Sequence, residues 1–178
     1  MFDGSAKSVA ENMAQTAQIV KIAHAFGASV EGEIGHVGQA ANDDGMLRDM
    51  YTTPEEAVDF VTNTGVDALA VAIGSAHGVY KSKPSLDIQR LKEIRGALDT
   101  PLVLHGGSGL SDEDFRNCVS AGIAKINIYT DLCIAGCKAM EEGIAAGKHY
   151  MEIRNLRVEA IKQVVKRKME LFGSVNRA

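Results

Sequence analysis

Residues Pro101–Gly109 read PLVLHGGSG, and this stretch decides the fold class of the 178-residue chain. Its apolar first half is typical of a strand buried on both faces of a parallel sheet. His105 follows directly, at the strand end where parallel α/β sheets carry their functional side chains. The glycines after it let backbone N–H groups approach an anion without obstruction by a Cβ atom. We therefore predict a histidine ligand or acid–base group beside a phosphate loop; the alternative is an ordinary strand–helix turn with a chance histidine.

Composition predicts a single globular domain over residues 1–178, with 46% hydrophobic and 24% charged residues. The formal net charge is −4 and there is no long Lys/Arg run, so we expect no nucleic-acid partner. No leader pattern and no apolar run of about 18 residues is seen, so we expect no membrane partner and a cytoplasmic location.

Three cysteines form no zinc-finger spacing, and their odd number favours reduced thiols over disulfides. Cys133 and Cys137 lie four residues apart in a segment with helical periodicity. We predict that both are small buried side chains on that helix.

Strand and helix patterns alternate along the chain, which predicts an α/β fold with a parallel sheet. Strands are predicted near residues 2, 30, 70, 103 and 126. Helices are predicted from Ser8 or Ala10 to Phe26, Thr53 to Asn63, Leu86 to Leu98, Asp112 to Ala121, Asp131 to Ala146 and Ile153 to Leu171. Residues 35–51 are predicted as a long polar loop, which in a compact domain is usually functional or mobile.

Polar side chains follow successive strands, and a (β/α)₈ barrel collects such residues at one face. They are Asp3, Glu33, His77, His105 and Asn127. Five strands are too few to close an eight-stranded barrel, so we predict that this chain supplies a part of one.

Two histidines end consecutive strands and are each followed by glycine: His77 and His105. Neighbouring strands lie about 4.8 Å apart, so the two rings can approach one point. Two imidazoles and a carboxylate suit Zn²⁺ with an open position for substrate. The alternative is two unrelated loop histidines.

Glu31 and Glu33 lie on the same face of their strand, because side chains alternate with a period of two. With Asp3 on the neighbouring strand end they predict a carboxylate cluster for a second cation. A solvated strand end is the alternative.

A two-loop phosphate site is predicted beside helix N-termini. One loop is Gly106, Gly107 and Ser108, and the other is the run from Asn127 to Thr130, in which Thr130 or Asp131 is the expected N-cap. Barrels often hold phosphate in the loops after strands 7 and 8. If these loops correspond, the chain begins near the fourth strand of the barrel.

Taken together, the strand-end motifs resemble the class II (zinc-dependent) fructose- and tagatose-bisphosphate aldolase family. The resemblance covers essentially the whole chain. Its ordered motifs are Met1–Ser5, Val30–Gly35, Ala70–Gly78, Leu104–Gly109 and Lys125–Asp131, with the ending Leu171–Ser174. The resemblance implies a (β/α)₈ TIM barrel of which this chain supplies roughly strands 4 to 8 and the C-terminal helices.

The resemblance also implies roles for these residues. His77 and His105 would be zinc ligands, and Asp3 and Glu33 would hold a second divalent or monovalent cation or an alternative zinc position. The phosphate end of dihydroxyacetone phosphate would be bound by Gly78, Gly106, Gly107, Ser108, Asn127, Ile128, Tyr129 and Thr130. Zinc would polarise the substrate ketone as a Lewis acid. Family members are dimers or tetramers, so a homo-oligomer is expected.

The chain departs from the family pattern in two respects. The family carries an Asp–His pair after its third strand, the Asp as acid–base group and the His as zinc ligand. We expect that pair ahead of Met1, so no catalytic acid–base residue is assigned within this chain, and His36 is a poor substitute. Near Tyr129 and Cys133 the family often has acidic and basic residues that help to select the sugar epimer.

Three functions therefore remain open. The first is reversible, zinc-dependent aldol cleavage of a ketose 1,6-bisphosphate to dihydroxyacetone phosphate and glyceraldehyde 3-phosphate. The second is a truncated, catalytically incompetent fragment that binds phosphate or metal. The third is another phosphate-handling barrel enzyme, such as an isomerase or synthase.

Overall fold

The structure is a computed structural model that describes residues 1–35, 37, 51–80 and 84–177. His36 and most of the long polar loop predicted at residues 35–51 lie outside these residues. The chain alternates strands and helices, as its hydrophobic pattern predicts.

The sheet is parallel, and its strands follow one another in chain order β1-β2-β3-β4. The strands are β1 (Glu31–Ile34), β2 (Ala68–Val71), β3 (Leu102–Leu104) and β4 (Ile123–Ile126). Phe2 adds an isolated parallel bridge to Gly32 beyond β1. All five predicted strand positions therefore carry parallel pairing, although the regular strands are shorter than the apolar runs that predict them.

Six helices connect and follow these strands in the described part of the chain. They are α1 (Val9–Ala25), α2 (Pro54–Thr64), α3 (Ile88–Ala97), α4 (Asp112–Ser120), α5 (Thr130–Ala145) and α6 (Tyr150–Leu171). Thr53 caps α2 in a capping box with Glu56, and Pro54 opens the helix, as predicted. Helix α6 begins at Tyr150, three residues before the predicted Ile153.

The predicted cap of α5 is wrong. Tyr129 holds the N-cap position, and no side-chain cap comes from it. The hydroxyl of Ser108 takes over this function, because it accepts hydrogen bonds from the backbone N–H groups of Tyr129 (3.1 Å) and Asp131 (3.3 Å). Local sequence could not indicate this cap, since the oxygen that accepts these hydrogen bonds lies on another loop.

The hydrophobic core lies between the sheet and helices α1 to α4. Leu69, Val71, Leu102 and Leu104 are fully buried strand residues, which explains why β2 and β3 read as continuous apolar runs. Phe60 of α2 packs in the same core and is fully buried. No helix in the described part of the chain is long and apolar enough to cross a membrane.

Helices α5 and α6 pack mainly on each other, and they leave apolar side chains exposed. The prediction of buried cysteines is wrong here: Cys133 and Cys137 are exposed free thiols, whereas Cys118 of α4 is buried. Both exposed cysteines line a groove of about 430 Å³ between the two helices, with Arg157 and Ile161 on its other side. Helical periodicity identifies the apolar face of α5, but it cannot say whether another element covers that face.

Candidate active site

The two histidines of the predicted metal site lie together at the carboxyl ends of β2 and β3. The ring centroids of His77 and His105 are 5.9 Å apart, with the rings tilted by 49°. His105 is buried, with 3% of its surface exposed, and His77 is half-buried. Parallel pairing of β2 with β3 places the two strand ends side by side. The loop after β2 then brings His77, which lies beyond Val71, next to His105.

Two carboxylates hold the His105 ring between them. Glu31 Oε1 lies 2.9 Å from Nε2, and Glu33 Oε2 lies 2.9 Å from Nδ1. Both nitrogens therefore donate, as an imidazolium does. Burial lowers the pKa of His105, but the hydrogen bonds to Glu33 and Glu31 outweigh it and the pKa is raised above its usual value.

Each of these glutamates has further partners. Lys125 Nζ of β4 lies 2.7 Å from Glu31 Oε2. The pKa of Glu31 is lowered, because the hydrogen bonds from Lys125 and His105 outweigh a burial effect that by itself would raise it. The carboxylate of Glu31 on β1 thus contacts both His105, which follows β3, and Lys125 of β4. This role of Lys125 is not predicted from the sequence.

Glu33 is almost completely buried, and the hydroxyl of Ser5 lies between its carboxylate and that of Asp3. The Ser5 hydroxyl lies 2.7 Å from Asp3 Oδ1 and 3.4 Å from Glu33 Oε1. The carbonyl oxygen of Glu33 accepts a hydrogen bond of 2.8 Å from the side-chain amide of buried Asn12. Asp3 and Glu33 therefore lie near each other, but Ser5 separates their carboxylates. Asp3 is exposed.

Tyr80 joins the two histidine-bearing loops and is also not predicted from the sequence. Its hydroxyl accepts a hydrogen bond from Ala76 N and donates one to the carbonyl oxygen of Gly106, both at 2.8 Å. Burial raises the pKa of Tyr80, so the hydroxyl keeps its proton. Gly106 has a φ of +66°, and a Cβ there would lie 2.5 Å from the carbonyl oxygen of Ala76. Only glycine fits this close approach of the two loops.

An open cavity of about 720 Å³ begins at His77 and extends over the predicted phosphate loops. Its lining comprises His77, Gly78, Gly106, Ser108, Ile126, Asn127, Ile128, Tyr129 and Thr130. Of the predicted phosphate-binding residues, Gly107 does not line the cavity. A Cβ on Gly107 would lie 2.9 Å from Ile126 and 3.0 Å from Ile128, so this glycine lets the loop pack against β4 and the segment after it.

His77 and His105 would provide two ligands of a zinc site, since neutral imidazole is a common zinc ligand and their ring centroids are 5.9 Å apart. The pair does not complete such a site. Among the described residues, no group of three His, Cys, Asp or Glu side chains is arranged to hold a metal ion. A metal at either nitrogen of His105 would replace a proton and one carboxylate contact.

These observations define a class: a parallel α/β protein whose candidate site opens at the carboxyl ends of its strands, with imidazoles beside a glycine loop. The family follows from the sequence comparison. The profile described as fructose-bisphosphate aldolase class-II matches residues 1–177, and the chain belongs to this family. The family is generally metal-dependent and acts on phosphorylated sugars.

Two curated relatives match the whole chain. YdjI of Escherichia coli (strain K12) is 44% identical over 179 residues, which cover 100% of this chain and 64% of YdjI. A probable fructose-bisphosphate aldolase of Bacillus subtilis (strain 168) is 41% identical over 181 residues, again covering 100% of this chain and 64% of the relative. The chain therefore spans less than two thirds of the length of these relatives.

Solved structures give the same picture of the fold. The crystal structure of the YdjI aldolase matches with a TM-score of 0.87 at 40% identity, covering 99% of this chain and 61% of that one. A putative fructose-1,6-bisphosphate aldolase from Coccidioides immitis matches with a TM-score of 0.89 at 31% identity, covering 99% and 63%. These neighbours are class II aldolase TIM barrels, which confirms the prediction of a partial (β/α)₈ barrel.

Proposed function

We propose that this chain provides the metal- and phosphate-binding part of a zinc-dependent aldolase. The reaction would be reversible cleavage of fructose or tagatose 1,6-bisphosphate to dihydroxyacetone phosphate and glyceraldehyde 3-phosphate. One observation carries the proposal: His77, whose ring centroid is 5.9 Å from that of His105, lines a cavity together with glycines and Ser108. Family membership supports the reaction class.

In this proposal His77 and His105 ligate Zn²⁺, which when bound polarises the ketone carbonyl of the substrate as a Lewis acid. Glu31 orients the His105 ring through its 2.9 Å contact, as a carboxylate beside a metal-bound histidine commonly does. Glu33 and Asp3 provide an alternative metal position or hold a second cation.

The cavity binds the phosphate end of dihydroxyacetone phosphate. Ser108 links the glycine loop to the start of α5, so the phosphate would meet the positive end of that helix dipole. The residues proposed to contact the phosphate are Gly78, Gly106, Ser108 and the run Asn127 to Thr130. Gly107, predicted for the same role, would support them by letting its loop pack against Ile126 and Ile128.

The third zinc ligand and the acid–base carboxylate are proposed to come from outside the described residues. A longer product of the same gene or another chain would supply them. Proton transfer needs such a group within hydrogen-bond reach of the substrate hydroxyl.

The test is an assay of cleavage with each bisphosphate, with dihydroxyacetone phosphate measured by a coupled reduction. Both the 178-residue chain and the longest in-frame product containing it are assayed, with zinc and after EDTA treatment. We expect zinc-dependent turnover by the longer product and loss of turnover in H105A. Turnover that survives EDTA would contradict the zinc mechanism.

A second candidate function is a phosphate- or metal-binding fragment without catalysis. The lack of a three-ligand metal group among the described residues favours it. It predicts that neither bisphosphate is cleaved by any form of the protein even with added zinc, while inorganic phosphate still binds in the cavity.

A further inference from the structure

A carboxylate at the start of α5 supports the glycine loop of the proposed phosphate site. Asp131 Oδ1 accepts a hydrogen bond of 3.0 Å from the backbone N–H of Gly109, and the N–H of Asp131 itself lies 3.3 Å from the Ser108 hydroxyl. These two contacts join the glycine loop after β3 to the first turn of α5. The geometry of the cavity therefore depends on Asp131, which follows the lining residue Thr130 directly.

A lysine from the last helix holds this carboxylate in turn. Lys168 Nζ of α6 lies 2.9 Å from Asp131 Oδ2, and their side chains are only 16% and 23% exposed. The same ammonium lies 4.3 Å from the ring centroid of Phe115 in α4, which packs against Phe172 at 5.1 Å. Lys168 of α6 thus contacts side chains of both α4 and α5, which restricts its ammonium to one position.

The charges of this pair have opposite consequences for an anion in the cavity. The carboxylate of Asp131 repels a phosphate, although the loop needs its hydrogen bond. The ammonium 2.9 Å away opposes this repulsion, and it does so in a partly buried setting where charges act more strongly than in water.

We propose that Asp131 and Lys168 are positioning residues for phosphate binding: Asp131 holds Gly109, and Lys168 neutralises Asp131. The proposal rests on the proposed function, because it requires that the cavity binds phosphate. It extends the site to α6, which contributes no residue to the cavity lining.

Substitution of the two partners should therefore affect phosphate affinity differently. K168M leaves an uncompensated carboxylate beside the cavity, and we expect the dissociation constant of inorganic phosphate to rise about tenfold. D131N retains a side-chain oxygen for Gly109 and leaves Lys168 positive, so we expect phosphate to bind equally well or up to about threefold more tightly. The double variant D131N/K168M should lie within about threefold of the wild type.

The experiment titrates inorganic phosphate into the ¹⁵N-labelled chain and follows the amide signals of Gly106, Ser108 and Gly109. R167M is the matched control, since Arg167 precedes Lys168 on α6 and pairs instead with Asp112 on the exposed surface (3.1 Å). We expect R167M to bind phosphate like the wild type. Circular dichroism of each variant checks folding, and D131N carries the test alone if K168M does not fold.

The outcomes separate the inference from the proposed function. If phosphate leaves the amides of the wild type unchanged, the phosphate site itself is refuted, and this inference with it. If the wild type binds but both single variants weaken binding alike, the ion pair has only a structural role and the inference is overturned. Binding by K168M at the wild-type level would overturn it as well.

Discussion

At the residue scale, the environment of His105 explains the chemistry proposed for the site. Its ring is 3% exposed and hydrogen-bonded at both nitrogens, so its orientation is set before any ligand arrives. Glu31 and Glu33 alternate along β1 and reach the same ring, as the strand period predicts. A carboxylate on one ring nitrogen is typical of metal-binding histidines, and a metal on His105 would replace the carboxylate contact at the other nitrogen.

The first prediction concerns His105. H105A removes one proposed zinc ligand and leaves Glu31 and Glu33 without their shared partner, so zinc affinity should fall about a hundredfold or more. Competition with a chromogenic chelator measures the affinity. H24A is the matched control, because His24 also contacts a carboxylate at 2.9 Å but lies on the exposed surface of α1. Equal zinc affinity of H105A and H24A would contradict the assignment.

At the element scale, most helix ends follow from local chemistry, because capping residues act within a few positions. Ser8, Thr53 and Ser111 each form a capping box with the acidic residue three positions later. Gly65 ends α2 in the left-handed conformation with a φ of 70°. The N-terminus of α5 differs, because its cap comes from Ser108 on another loop. Sequence patterns therefore located this helix but misplaced its cap.

The second prediction compares two glycines. A Cβ on Gly32 of β1 would lie 2.9 Å from both Phe60 and Val66, whereas a Cβ on Gly96 of α3 would meet nothing within 4 Å. We expect G32A to lower the free energy of unfolding by about 1–3 kcal/mol through overpacking. G96A should raise it by up to about 1 kcal/mol through helix propensity.

Urea unfolding at one pH measures both changes. The two variants serve as controls for each other, because they add the same methyl group. If G32A is as stable as the wild type, β1 and α2 are less closely packed than the structure describes. In that case β1 would hold Glu31 and Glu33 less rigidly.

The third prediction concerns acid stability at the junction of α1 with β1 and β2. Asp67 contacts His24 at 2.9 Å and accepts a hydrogen bond from the backbone N–H of Val30. These hydrogen bonds, that from His24 first, lower the pKa of Asp67. A lowered carboxylate pKa stabilises the fold above the unfolded value of about 3.9, and this contribution is lost as the pH falls through the folded pKa.

D67N should therefore be less stable than the wild type near pH 7, by up to about 1 kcal/mol because the pair is partly exposed. The difference should shrink toward zero as the pH falls below about 3.9. Denaturant unfolding across this pH range measures it. A difference that stays constant down to the lowest pH at which the chain folds would contradict the role of this carboxylate.

At the scale of the whole molecule, the described sheet has two open edges. Beyond β1 there is only the bridge of Phe2 to Gly32, and β4 has exposed residues at Ala124 and Lys125. Closed barrels have no such edges. The aldolase barrels that match the chain are longer, with about 60% of their length covered.

The fourth prediction follows from these edges. The isolated 178-residue chain should associate or be poorly soluble, because open strand edges pair with other chains. Light scattering coupled to size exclusion measures the mass. A charge on the exposed edge residue in A124K should reduce association. A sharp monomer peak with a cooperative melt would show that the edges are protected without a partner.

The sequence alone determined the parallel α/β class, the order of the elements and the strand ends that carry histidine and glycine. These features depend on hydrophobic period, capping and turn chemistry, which act within a few residues. Only the tertiary structure decided the contacts among distant segments: Glu31 and Glu33 around His105, Tyr80 between two loops, and Lys168 behind Asp131. Such contacts join residues that are far apart along the chain, and no local periodicity records which strand ends or helices meet.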